Sequence, residues 1–321
     1  MSKFIGRLVQ LGIAKESVRG AGGTPNLWIP QVSLSINPMI DEARIEGGLG
    51  SIVDSEGKLV TEKYCEGELT AELRDQSFGF WLYNLLGSVS SVVYSGANKH
   101  SYSLLDTNNH QSLALTAQYS DLATEILKLV MINRLELTAN LDGLVQYLVG
   151  FTSKAPGIFS ATPSNTSENK FSKKHVHLKI ASDITGLASA SELEIKTLSV
   201  AFEKNVERDS VMGTVQPIDI LNKTFSVSGS ISLVYEDNTI RNYMLDGDEK
   251  ALQIEILNDD VVIGTTNPSF KLVFPKVDFS GWTPNLALED IVSQTVNFKA
   301  NYDLTDGVIS SCELVNEKAS Y

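Results

Sequence analysis

The chain predicts a mainly β protein assembled from one unit used twice, and two observations carry that expectation. The first is an internal repeat. Glu66-Gly67-Glu68-Leu69-Thr70-Ala71-Glu72 and Ser228-Gly229-Ser230-Ile231-Ser232-Leu233-Val234 centre on glycines 162 positions apart. Ser33-Leu34-Ser35-Ile36 stands 164 positions before Thr197-Leu198-Ser199-Val200. Leu137-Thr138-Ala139-Asn140-Leu141-Asp142 reads like Phe298-Lys299-Ala300-Asn301-Tyr302-Asp303 at a spacing of 161. The second is strict polar/apolar alternation, the period of a half-buried strand, over 68–73, 134–141 and 295–302.

Taken in order, further strands are expected at 31–36, 112–119, 125–130, 193–202, 251–257 and 270–274. One segment departs from this period. From Asp75, a capping-type residue, to Gly87, the apolar positions Phe78, Trp81, Leu82, Leu85 and Leu86 recur at helical spacing, which predicts a short helix against a sheet. The second half shows no clear counterpart to it. Two polar excursions, 37–62 and 203–222, fall at the same place in both halves and read as long functional loops. A stretch rich in Pro, Ser and Asn over 153–170 marks a boundary near residue 165, giving units 1–165 and 166–321.

Composition narrows the function. The 321 residues carry a net charge of −13, and a protein that grips nucleic acid needs a basic face instead. No run approaches the ~20 apolar residues of a membrane span, so no membrane insertion is expected. The opening Met1-Ser2-Lys3-Phe4-Ile5-Gly6-Arg7 lacks the apolar core of a secretory signal. Cys65 and Cys312 are too few for a disulfide framework and read as small buried hydrophobes.

Residues that could do chemistry do not converge. His175 and His177 fall on one face of an expected strand, but no cysteine lies near them and they read as exposed structural histidines. His100 and His110 sit in a loop-rich stretch without a nucleophile motif. Asp246-Gly247-Asp248-Glu249 lacks the spacing of a calcium loop, and Gly20-Ala21-Gly22-Gly23-Thr24 lacks the lysine and helix of a phosphate loop. Trp28, Trp81 and Trp282 read as core or interface aromatics. No catalytic residue, metal or cofactor is expected, and an enzyme is disfavoured.

Several tracts carry a family resemblance. Residues 4–20, with Pro25 and Trp28-Ile29-Pro30, resemble the start of the tail tube (major tail) proteins of long-tailed bacteriophages. Phe225-Ser226-Val227-Ser228-Gly229-Ser230-Ile231 and the segment 290–303 are similar to later strands of the same family. The resemblance implies tandem β-sandwich tube domains with a short flanking helix, whose inner sheets join into a ring-spanning β-barrel and whose rings stack into a hollow tail. The family builds its rings from six tube domains, so a duplicated chain implies three chains with pseudo-sixfold symmetry. The implied partners are further copies of the chain, the tape measure, terminator and distal tail proteins, and genomic DNA passing through without specific binding. The implied location is the virion tail, with assembly in the host cytoplasm.

On this reading the polar sides of the alternating strands face the channel: Glu68, Thr70, Glu72, Arg134, Glu136, Thr138 and Asn140 in the first unit. In the second they are Ser230, Ser232, Thr295, Asn297, Lys299 and Asn301. The two excursions become ring-to-ring contacts through Asp41, Glu42, Arg44, Glu46, Asp54, Glu207, Arg208 and Asp209. Residues up to about Thr24 and the tail after Leu314 become extra clamps. Two alternatives stay open: another tail ring protein (a terminator or distal tail component), and a tandem β-sandwich module that binds a surface.

Overall fold

A computed structural model of the chain describes residues 5–47, 50–120, 123–289 and 291–321. Residues 1–4, 48, 49 and 290, which fall in tracts considered above, lie outside the described residues. The first half runs β1 (Gln10–Lys15), β2 (Leu27–Ile29), β3 (Gln31–Ile45), β4 (Gly57–Glu72), α1 (Phe78–Leu86), β5 (Gly87–Tyr94), β6 (Ala97–Leu104), β7 (Leu113–Ser120), β8 (Ala123–Ala139) and β9 (Gln146–Lys154). The short β10 (Gly157–Ile158) then pairs back to β8, and the second half runs β11 (Val176–Ala181), β12 (Ile195–Asp209), β13 (Asp219–Val234), α2 (Thr239–Asp246), β14 (Lys250–Leu257), β15 (Ser269–Asn285), β16 (Ser293–Ala300) and β17 (Ser311–Asn316). Among the described residues no helix is long and apolar enough to cross a membrane.

The two halves repeat one pairing scheme. An inner sheet β3-β4-β9-β8 in the first half corresponds to β12-β13-β16-β15 in the second, all antiparallel. A second layer, β1-β7-β8, corresponds to β11-β14-β15. The long strands β8 and β15 therefore belong to both layers and must bend between them. Both do so at matching irregularities, where the pairing slips between Leu127 and Val130 and between Phe274 and Val277. The means differ: Leu129 takes a left-handed φ of 56° in β8, whereas Pro275 lies within the slip in β15. The expected strands 125–130 and 134–141 are thus two limbs of one strand.

The register also corrects one repeat match. Gly67 lies opposite Phe151 and Gly229 opposite Phe298, so β16 is the counterpart of β9. The segment 137–142 closes β8 instead, and its likeness to 298–303 is only that of two half-buried strands sharing a period. In both units a Cβ on the glycine would meet the facing ring, at 2.3 Å for Phe151 and 2.4 Å for Phe298.

Three further expectations change. The excursions 37–62 and 203–222 are not loops: β3 and β4 stay paired out to Ile45 and Gly57, and β12 and β13 out to Asp209 and Asp219. Of the described residues, 46–47, 50–56 and 210–218 lie beyond the paired strands, at the tips. A hairpin satisfies its own backbone hydrogen bonds and so can extend as a polar arm without a core beneath it. Helix α2 does supply a counterpart to α1, ending like it on a left-handed glycine, Gly247 after α2 and Gly87 after α1. It was hidden because it buries only Ile240. Asp75 does not cap α1. Its carboxylate accepts hydrogen bonds from Asn169, while Glu168 reaches across from the inter-unit segment to accept from the Ser77 and Gln76 N–H groups, at 2.5 and 3.2 Å. Burial raises the pKa of both carboxyls.

The core lies between the layers. The inner faces of the paired sheets present Leu69, Leu135, Tyr147, Val149, Phe151, Val200, Phe202, Ile231, Val296 and Phe298, all buried. Helix α1 closes the first half, with its buried Trp81 donating an indole N–H to the Tyr147 hydroxyl at 3.2 Å.

Candidate functional site

Strand β12 pairs with β8 along Leu198 to Glu203 opposite Ala139 to Arg134. This joins the two inner sheets into one antiparallel sheet of eight strands, ordered β3-β4-β9-β8-β12-β13-β16-β15. Directly opposed residues point to the same face. Glu136 and Ala201 are opposed across β8 and β12, Ala201 and Ser228 across β12 and β13, and Ser228 and Lys299 across β13 and β16. Thr138, Ser199, Ser230 and Asn297 form the next row. Ser232 faces Thr295, while on the other wing Glu68, Thr70 and Glu72 oppose Gly150, Leu148 and Gln146, which in turn oppose Arg134, Glu136 and Thr138.

Eleven of the thirteen residues expected on a polar face are therefore strand residues on one continuous face. Asn140 and Asn301 sit just past the ends of β8 and β16, where Asn301 donates to Asp278 at 2.9 Å. The same face also carries Ser33, Ser35, Gln146, Ser199, Glu203, Ser226, Ser228, Asp278, Ser280 and Thr283, which were not expected on it. In β9 the signal was weak, because its polar-side residues include Leu148 and Gly150. For β12, β13 and β15 the alternation was available once the strand limits were known.

The electrostatics of the face are acidic. Its carboxylates include Glu68, Glu72, Glu136, Glu203 and Asp278; its cations include Arg134 and Lys299. Arg134 is occupied from both sides, 2.7 Å from Glu136 and 3.3 Å from Glu203. A guanidinium so paired offers little to a passing phosphate.

The sheet has two open edges. Among the described residues, β3 pairs only with β4, and β15 beyond Val277 pairs only with β16. A groove floored by Leu11 and Ile29 and walled by Val32, Leu34, Ile36 and Tyr119 runs beside the β3 edge. Unpaired edges of this length invite a further strand.

The hairpin arms carry the other expected residues. Asp41, Glu42 and Arg44 lie on β3, Glu46 and Asp54 in its tip, and Glu207, Arg208 and Asp209 on β12. The structure brings only Arg208 and Asp41 together across the two arms. The Arg208 guanidinium lies 3.5 Å from the Tyr64 ring centre, 3.4 Å from both Asp41 and Glu62, and 3.8 Å from Glu66. Lys63 donates its N–H to the Val215 carbonyl at 2.6 Å, which seats the second arm's tip on the first arm's base. Glu42 instead pairs with Lys58 at 2.5 Å, a hydrogen bond that lowers its pKa, and Glu207 pairs with Lys223.

The expected terminal clamps are folded into their own chain. Glu16 accepts hydrogen bonds from the N–H groups of Gly20, Gly22 and Leu129 and from the Ser112 hydroxyl, tying the first loop to the β8 bend. Strand β17 pairs with β6 and β15, and Tyr321 packs beneath α1 with its hydroxyl donating to the Gln76 carbonyl at 2.8 Å.

Of the histidines, His177 lies in β11 and His110 in the loop before β7, as expected, whereas His175 and His100 do not. His175 ends a short 3-10 turn and is buried; His100 lies in β6, bonded to Ser91 and Asn316, and His110 bonds the carbonyls of Leu85 and Leu105. His175 approaches Asp259 and Asp260, a possible ligand cluster by distance. Its Nδ1 accepts the Ser172 N–H at 3.1 Å, however, which leaves the proton on Nε2 facing Asp260 and removes the lone pair a metal would need. Asp260 is further neutralised by Lys174. Cys65 and Cys312 are free and buried, and burial pushes the Cys65 thiol up to about 11. Trp28 and Trp81 are buried and Trp282 is tied to Gln294, so they form no exposed aromatic platform.

A family model described as phage tail tube protein matches residues 6–300. None of the curated proteins matches the chain.

Proposed function

The chain belongs to the phage tail tube protein family, a structural family of the virion tail, and from that premise we propose that it polymerises into stacked rings forming a conduit for phage DNA. The observation that carries this reading is the eight-stranded sheet with one polar, acidic face and two open edges. The β8–β12 seam inside the chain is the template for the seam between chains. Matching positions through the repeat places 280–285 of β15 against 35–39 of β3 in the next copy, with Asn285 opposite Ser35 as Thr138 is opposite Ser199. The groove beside β3 would receive that strand. Each chain then supplies two units, divided near residue 165, and three chains close a ring of six. Closure removes both exposed edges, which otherwise promote uncontrolled association.

The polar face then lines the channel. Its shortage of free cations leaves few counterions to exchange with DNA, so the polymer slides through without being held. The outer ends of the two arms reach the neighbouring ring, and the tape measure, terminator and distal tail proteins meet the ends of the tube.

Negative-stain electron microscopy of the purified full chain, with averaged end-on views, tests this. We expect hollow rings of three chains with six lobes, stacked into tubes. Single rings that never stack would favour a one-ring tail component, and rings of six chains would overturn the pseudo-sixfold scheme.

A further inference from the structure

The same internal symmetry says what the first arm touches in a ring, and the inference rests on the ring reading above. Within the chain, the second arm lies over the bend of β8. Val206 and Ile220 from the arm pack with Leu129 and Met131, and the last three are fully buried. Lys204, also buried, donates to the Asn84 carbonyl in the last turn of α1 at 2.7 Å.

The repeat transfers each of these positions. Val206 and Ile220 correspond to Glu42 and Lys58 on the first arm, since both hairpins share register and an irregularity, after Asp41 in β3 and after Lys204 in β12. Leu129 and Met131 correspond to Lys276 and Asp278, since both long strands slip at the same point and Met131 faces Thr152 as Asp278 faces Lys299. Lys204 corresponds to Ile40, and the last turn of α1 to that of α2.

Four apolar residues that meet inside the chain are thus replaced by two carboxylates and two ammonium groups. Ile40, 46% exposed, would meet an α2 turn whose Leu245 is 65% exposed. We infer that the first arm of each copy lies across β15 and α2 of the neighbour whose β15 pairs with its β3, with Glu42 against Lys276, Lys58 against Asp278, and Ile40 against Leu245. The partner is a second copy of this chain, and the contact is ionic where its internal counterpart is apolar. In the single chain, among the described residues, these charges have only local company: Glu42 with Lys58 and Arg44, Lys276 with Glu249 at 2.7 Å, and Asp278 with Asn301. Such exposed pairs stay hydrated until a partner arrives, so they leave the free chain soluble and make assembly sensitive to salt.

Charge reversal tests the contact. Glu42→Lys and Lys276→Glu are made singly and together in the full chain, and sedimentation with electron microscopy measures the fraction in rings and tubes, with thermal melting as a control for folding. Each single variant should assemble at least tenfold less at a fixed concentration, and the double variant should recover most of the loss. A separate disulfide pair, Ser35→Cys with Asn285→Cys, reports on the seam alone, since the native cysteines are buried. Inter-chain linkage at the seam with single reversals that assemble normally would overturn the arm contact and leave the ring standing. Failure of the seam to link together with absence of rings in the unaltered chain would overturn both.

Discussion

Both halves of this chain extend the same hairpin arm, yet only the second arm has something to lie on. It buries Ile220 and Lys204 against the first half and sets Arg208 among Tyr64, Asp41, Glu62 and Glu66. The first arm carries Arg44 at the position of Arg208, but Arg44 reaches only Glu42, at 4.0 Å. Its outer apolar residues Met39, Ile40, Ile45 and Leu59 are exposed. One backbone design therefore has two chemistries at matched positions: Val206 and Ile220 are apolar where the contact forms within the chain, and Glu42 and Lys58 are charged where the arm faces outward. A contact made during folding can be apolar because its partner is covalently attached. One that waits for another molecule must tolerate water meanwhile.

That comparison can be broken most severely at the paired glycines. Gly67→Val and Gly229→Val each push a side chain into a facing ring and into a carbonyl, that of Ser35 at 2.7 Å or Ser199 at 2.4 Å. Each should cost about 1–3 kcal/mol or more by overpacking. Urea midpoints read this, and a large disparity between the two would argue that the halves are not equivalent at this position.

A smaller effect is expected at the clasp. Arg208→Ala removes one cation–π contact and a set of half-exposed ion pairs, worth about 1 kcal/mol together. Hydrogen exchange should quicken in 57–66 and 210–220, whereas Arg44→Ala should leave both arms of the isolated chain unchanged. Equal responses would erase the difference between the arms.

The smallest effect concerns pH. Burial holds the pKa of His100 and His110 below the usual 6.5. Folding therefore excludes protons that the unfolded chain takes up, so their contribution to stability falls as pH drops below about 6.5. Replacing both with Gln should flatten the decline in urea midpoint between pH 7 and 5 relative to the unaltered chain. An unchanged slope would count against this assignment.

Much of the fold was legible because alternation reports directly on a sheet with one dry and one wet face. Glu68-Leu69-Thr70-Ala71-Glu72 and Thr295-Val296-Asn297-Phe298-Lys299 show this. The arms were not legible as strands: the first is wet on both faces and has no apolar side to mark its period, and the buried side of the second carries Lys204 and Arg208 among its apolar residues. Helix α2 was missed for a similar reason, burying a single side chain. The β8–β12 seam left no trace in sequence at all, since backbone hydrogen bonds between remote strands carry no side-chain signature.

The amino-acid sequence by itself determined that the chain is β-rich, duplicated, acidic, and polar along one side of its alternating strands, since each of these properties resides in local pattern and composition. Tertiary structure alone decided which strand is whose counterpart, that the two inner sheets form one, which arm is supported, and which edges stay open. Those depend on register and on contacts between residues far apart in the chain, where a shift of one position exchanges the two faces of a strand without altering its composition.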